Sequence, residues 1–229
     1  MALTLCTDLA AADWITGSEL EWSRLVGFGP GGFEASARLR ILPDPTHPGQ
    51  SENDVEPEDW RHGQLARLFT VLAEHTTTPD DCSFCVWDGY DSSLVTGDDD
   101  DVSIDTADDA ARLGRPDAVP GVAPLPARVS TTPEPVKVVV PHRAYWLFRG
   151  PLADVGRWRA AHGWPGEPRL SDAEPAFVWP ADHAWCVAKD VDPHWAGIGG
   201  TAALVSRLVA APLLDVVPAD PDEPPPAYG

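Results

Sequence analysis

Phe177–Gly200 reads FVWPADHAWCVAKDVDPHWAGIGG, and its first half decides the fold. PAFVWP (175–180) and AWCVAKDVD (184–192) are apolar runs rich in aromatic and β-branched residues, with Pro180–His183 between them. Two such runs joined by so short a turn read as antiparallel strands, because a parallel pair needs a crossover of roughly a dozen residues or more. A helix is expected over Thr201–Ala210, where Leu204 and Leu208 fall on one side.

Outward from this hairpin the same alternation recurs. VKVVV (136–140) and RAYWLFRG (143–150) read as two further strands, and CSFCVWD (82–88) as a short apolar one. FEASARLRIL (33–42) places Phe33, Ala35, Ala37, Leu39 and Ile41 on one strand face. Glu58–His75 carries Leu65, Leu68, Phe69 and Leu72 at helical spacing. TGSELEWSRLVGFGPGG (16–32) reads as a helix with a Thr16/Glu19 capping box, ended by Gly27–Gly32. Pro151–Ala161 is a candidate helix with proline in its first position. LLDVVP (213–218) closes the series as a strand. Strands adjacent in sequence without intervening helices imply an α+β domain: a single antiparallel or mixed sheet with two or three helices packed on it.

One domain is expected over 1–218, interrupted at 91–135. That segment has ten acids against three arginines and is dominated by Asp, Ala, Pro, Gly and Thr. It reads as a disordered acidic insertion, since it offers too little apolar surface to offset the entropy of ordering. Residues 219–229 read as a disordered proline-rich tail. The net charge of −20 argues against nucleic acid and anionic membranes as partners, because both demand a basic face. No apolar run approaches the roughly 20 residues of a membrane span. The N-terminus lacks a basic start and Asp8 interrupts its apolar stretch, so a signal peptide is not expected. Four cysteines in 229 residues do not make a disulfide framework, and a cytoplasmic protein with reduced thiols is the simplest expectation.

Several residues carry possible chemistry. Cys82 and Cys85 (CxxC) with His183 and Cys186 (HxxC) compose a Cys3His set that zinc would accept. Within strands, however, residues three apart face opposite sides, which favours buried cysteines acting as small hydrophobes. GIGGTA (197–202) fits the G-x-G-x-x-A dinucleotide pattern but lacks the βαβ units that pattern needs. What survives is a helix N-terminus able to hold an anion or, more simply, a turn with an N-cap. Asp98–Asp101 lacks the spacing of a calcium loop. His142, Arg149, Asp192 and His194 are the catalytic candidates, and Asp182–His183 and Asp190–Asp192–His194 offer acid–base pairings. No nucleophile elbow, HExxH or P-loop accompanies them. Trp87, Asp88, Tyr90, Tyr145, Asp182, His183 and Trp195 are the binding candidates: aromatic and polar residues at strand ends and in loops, where sites concentrate.

The stretches DWITGSELEWSRLVGFGPGGFEA, GQSENDVE, HTTTPDDCSFCVWDGY, VVVPHRAYWLFRGPL and FVWPADHAWCVAKDVDPHWAGIGG resemble a family of uncharacterised proteins from high-GC actinobacteria. The resemblance spans most of the chain outside 91–135 and the tail, and it implies no activity and no catalytic residue. The closing order of tryptophan-rich strand, DVD, glycines and helix is similar to bacterial immunity and regulatory α+β domains. The resulting expectation is a non-enzymatic binding module for a protein partner or small ligand, of open oligomeric state and without a cofactor. The alternative is an enzyme or zinc metalloprotein with its site near the 182–195 loops.

Overall fold

The computed structural model describes residues 3–55, 63–89, 136–163, 173–191 and 194–229. The 91–135 insertion lies outside them. The described strands are β1 (Thr4–Leu5), β2 (Ala35–Arg40), β3 (Cys82–Trp87), β4 (Val138–Val140), β5 (Arg143–Gly150), β6 (Pro175–Pro180), β7 (Cys186–Ala188), β8 (Trp195–Gly200) and β9 (Val216–Ala219). The helices are α1 (Asp13–Thr16), α2 (Trp22–Phe28), α3 (Gln64–Ala73) and α4 (Ala202–Val209). All nine described strands join one sheet, eight of them in the order β1-β5-β3-β6-β7-β8-β2-β9 with β4 paired to β5 off that path, and every strand pair is antiparallel. β1 and β4 share the outer edge of β5, at Thr4↔Arg149 and Val138↔Tyr145. The α+β expectation holds broadly, with four described α-helices instead of two or three.

The central strands are apolar along their whole length because both faces of the sheet are covered. In β6, Ala176, Phe177, Val178 and Trp179 are all buried. Phe84, Phe148, Val178, Val187 and Ile198 join the core under α3 and α4. Cys85, Leu147, Phe177, Trp179 and Cys186 face the opposite core, under α1 and α2. Strand geometry sends successive side chains to alternate faces, so each strand feeds both cores. A buried side chain of this size contributes roughly 1.5–3 kcal/mol.

Particular contacts fix the layers. Leu68, Phe69 and Leu72 seat α3 on the sheet, and the indole N–H of Trp185 donates to the Leu72 carbonyl (3.0 Å). Gln64, 2 % exposed, donates to the Arg40 carbonyl (2.8 Å) and accepts from the Asp215 amide (2.6 Å). That buried amide ties α3 to the ends of β2 and β9. On the other face α2 comes to backbone contact with β8: a Cβ on Gly197 would lie 2.0 Å from the Gly27 carbonyl oxygen.

Four expectations are corrected. GIGG lies in β8 itself, where the missing side chains admit α2 and the ring of Phe33. The Thr16/Glu19 capping box does not form: Thr16 closes α1, and α2 starts at Trp22 with no side-chain cap. Over 151–161 the chain makes two single-turn 3-10 helices, 152–154 and 158–160, instead of an α-helix. Finally, residues 219–229 pack on the body, through Tyr228 to the Pro43 carbonyl, Gly229 to the Gln50 carbonyl (3.0 Å) and Asp222 to Arg24. Proline-rich sequence reads as tail because proline cannot join a ladder, yet its extended backbone suits a surface strap.

Candidate functional site

One end of the sheet gathers charge and indole rings. Trp87 ends β3, Arg143 opens β5, Asp190 follows β7, and Trp195 opens β8. Antiparallel pairing brings these termini to the same side of the molecule. Arg143 makes a two-pronged pair with Asp190, Nε–Oδ1 3.1 Å and Nη2–Oδ2 3.3 Å. Its guanidinium also stands 5.5 Å from the ring centre of Trp22 and 5.3 Å from that of Trp87. Asp190 is 6 % exposed. A planar, weakly hydrated guanidinium is the cation best suited to such a stacked, desolvated place. Next to it Lys137 pairs with Asp88 (3.3 Å) and lies over Trp146. The buried Tyr145 hydroxyl has no hydrogen-bond partner among the described residues. Burial, with Asp190 and Cys85 nearby, pushes its pKa far up, so it stays a neutral phenol.

A second guanidinium repeats the pattern. Arg38 pairs with Asp44 through both nitrogens, at 2.8 and 3.1 Å, and stands 5.7 Å from the ring centre of Trp195. Arg40 joins Asp44 to Asp215, at 3.3 and 2.6 Å.

Between α2 and residues 221–225 lies a cleft of about 770 Å³. Its apolar walls are Trp22, Val26, Phe28 and Trp195, and Asp190 reaches it from the sheet. Glu19, Glu21, Asp222 and Glu223 are exposed around it. Trp22 and Asp190 belong both to the Arg143 cluster and to this cleft. Farther along the same segment, at residues 225–229, His194, Trp195, Glu52 and Tyr228 line a second cavity of about 530 Å³. The Tyr228 ring stands edge-on to His194 at 4.5 Å, and His194 Nε2 is buried without a partner among the described residues. Burial lowers the imidazole's pKa; Asp44 and Glu52 oppose this, and Arg38 adds to it.

The sequence-derived candidates divide by location. Trp87, Asp88, Tyr145, Trp195 and His194 lie at this sheet end, and His142, in the β4–β5 turn, meets Trp22 edge-on at 5.5 Å. Tyr90 and Asp192 lie outside the described residues. Asp182 and His183 lie at the opposite end, in the β6–β7 turn. There Asp182 accepts from the Thr77 amide (2.7 Å) and hydroxyl, the Thr76 hydroxyl (2.8 Å) and the Ala184 amide (3.1 Å). Burial works against its charge, but these bonds win and hold its pKa at about 2. His183 stacks on Trp14 at 4.1 Å. Arg149 is bound to Asp81 at the same far end.

The Cys3His set is not assembled. Cys82 sits in the core under α3, whereas Cys85 and Cys186 sit in the core under α2, and His183 is stacked on Trp14. Burial raises all three thiol pKa values, that of Cys82 to about 12, opposing the thiolate a metal needs. Among the described residues no group of three or more His, Cys, Asp or Glu side chains is arranged to hold a metal. The anion-binding reading of the α4 N-terminus also fails locally. Thr201 caps the Leu204 amide (3.1 Å), and the Glu34 carboxylate accepts from the Ala202 amide (2.9 Å).

Sequence reasoning missed Trp22, Phe28, Arg143 and the 221–225 segment. Trp22 and Val26 are one helical turn apart, a signal of a shared face, but nothing local shows which strand end that face meets. No family model matches the chain, and the comparisons with curated proteins and with solved structures returned no match. Among the described residues no helix is long and apolar enough to cross a membrane.

Proposed function

We propose that this chain is a binding module whose ligand, a segment of a protein partner or a small amphipathic molecule, enters the cleft between α2 and residues 221–225. The carrying observation is the cleft itself: about 770 Å³, walled by Trp22, Phe28 and Trp195, with Asp190 as a convergent polar group. Sites of roughly 300–1,000 Å³ with aromatic walls and few polar groups suit ligand binding. The Arg143–Asp190 pair supports the reading further, because it holds Trp22 and Asp190 in fixed positions before any ligand arrives, which lowers the cost of binding. All four cysteines are free, which supports a reducing, cytoplasmic setting. The test is a screen of the isotope-labelled full chain against small amphipathic molecules and short peptides. Binders should shift the indole signals of Trp22 and Trp195 and the amides of residues 222 and 223. Binders that shift only the β6–β7 turn, or no binder at all, would overturn the reading.

A second reading, an enzyme of unrecognised type, draws on His194 alone: its Nε2 has no hydrogen-bond partner among the described residues, and burial holds the imidazole toward its neutral form beside a cavity of about 530 Å³. A neutral imidazole can take a proton from a substrate. That reading requires turnover that His194→Ala abolishes while the cleft still binds.

A further inference from the structure

Resting on the cleft reading, we infer that the occupant is an extended protein segment carrying arginine side chains. Five acids line the cleft (Glu19, Glu21, Asp190, Asp222 and Glu223) against one base, Arg24. Arg24 is engaged by Asp222 and Asp190 by Arg143. Glu19, Glu21 and Glu223 remain exposed, with no ion pair among the described residues. Glu19 and Glu21 precede α2 on one side of the cleft, and Glu223 stands on the facing segment. A ligand with a single charge satisfies one side; a segment with spaced cations satisfies both.

The choice of arginine follows from what this protein already does with its own cations. At the same sheet end, two guanidinium groups lie over indole rings and take a carboxylate with two nitrogens each: Arg143 with Trp22, Trp87 and Asp190, and Arg38 with Trp195 and Asp44. Trp22 and Trp195 also wall the cleft. Aromatic faces beside carboxylates form the environment in which guanidinium outcompetes ammonium. The apolar walls would take the methylene stems, which pack on such surfaces while the charged head stays at the rim.

The experiment is fluorescence anisotropy of three labelled ten-residue peptides titrated with the full chain. One alternates arginine and alanine, one replaces arginine by lysine, and one by glutamine. Because the chain carries −20 overall, two charge-reversed variants are compared, Glu19→Lys/Glu21→Lys at the cleft and Asp13→Lys/Asp80→Lys on exposed positions elsewhere. The expected result is binding in the order arginine, lysine, glutamine, with affinity falling tenfold or more in the cleft variant and less than threefold in the control. Equal losses in both variants would reduce the effect to bulk charge and overturn the inference. Glutamine-peptide binding that matches arginine and shifts Trp22 would overturn the cationic class while leaving the cleft reading intact. No binding by any peptide, with small molecules also failing at Trp22, would overturn both.

Discussion

Arg143 and Asp190 form a two-pronged ion pair, at 3.1 and 3.3 Å, whose guanidinium lies over the rings of Trp22 and Trp87 and whose carboxylate reaches the cleft beside α2. Removing one member of a buried pair leaves the other charge undercompensated, which costs about 3–5 kcal/mol, whereas replacing both by apolar residues costs far less. Asp190→Asn should therefore destabilise strongly in urea unfolding. Arg143→Met/Asp190→Leu should recover most of that loss, and Arg143→Lys should not substitute for arginine. A cost below about 1 kcal/mol for Asp190→Asn would mean the pair behaves as a surface ion pair.

Gly197 is where α2 meets the sheet. An added methyl there would stand 2.0 Å from the Gly27 carbonyl oxygen, a backbone atom unable to swing aside. Gly197→Ala should cost at least the roughly 1–3 kcal/mol of an overpacked core. Gly31→Ala, whose nearest neighbour would be Leu20 Cδ1 at 3.7 Å, should be close to neutral. Thermal melts of the two variants decide this, and equal melting temperatures would contradict the backbone contact.

Asp182 should confer an acid limb on stability. Its folded pKa, about 2, lies below its ordinary value of 3.8. Its contribution is therefore complete above pH 3.8 and lost as pH falls through about 2. Asp182→Asn should remove that limb while keeping one accepting oxygen, and Asp182→Ala, which removes both, should cost about 1 kcal/mol at neutral pH, as loss of a helix-capping oxygen does. Unchanged stability of the alanine variant at pH 7 would show that the 76–78 loop does not depend on this side chain.

His194 gives a second, separate dependence. Its folded pKa lies below 6.5, because burial outweighs the pull of Asp44 and Glu52, with Arg38 assisting burial. Such a group adds stability above pH 6.5 that is lost as pH falls through the folded pKa. His194→Asn should flatten the stability profile between pH 7 and 5, while wild type declines. Nuclear magnetic resonance titration of the imidazole checks the direction, and a pKa at or above 6.5 would contradict it.

Much of the architecture was legible in the chain. The Pro180–His183 turn between two apolar runs implied antiparallel pairing, and 3.6-residue spacing at Leu68 and Leu72 marked α3. The β8 strand was not legible, because GIGG looks like a loop until α2 is placed against it: the glycines answer a tertiary contact and not a local turn. For the site, a strand end marked Trp87, a strand face Tyr145 and an expected loop Trp195, and the three share one end of the sheet. The turn residues Asp182 and His183 looked equivalent in sequence, yet they lie at the other end, where Asp182 serves the Thr76–Thr78 loop. Trp22 and Arg143 escaped notice because their partnership joins positions 121 residues apart in the chain. The proline-rich 221–225 segment carried no periodic signal at all.

The most direct test of the cleft is amide hydrogen exchange of the full chain, with and without saturating arginine–alanine peptide. Slower exchange confined to α2 (Trp22–Phe28) and to residues 222 and 223, with the β6–β7 turn unchanged, is the predicted result. Protection centred on residues 181–184 and the Thr76–Thr78 loop, with α2 unaffected, would place the binding surface at the opposite end of the sheet and contradict it.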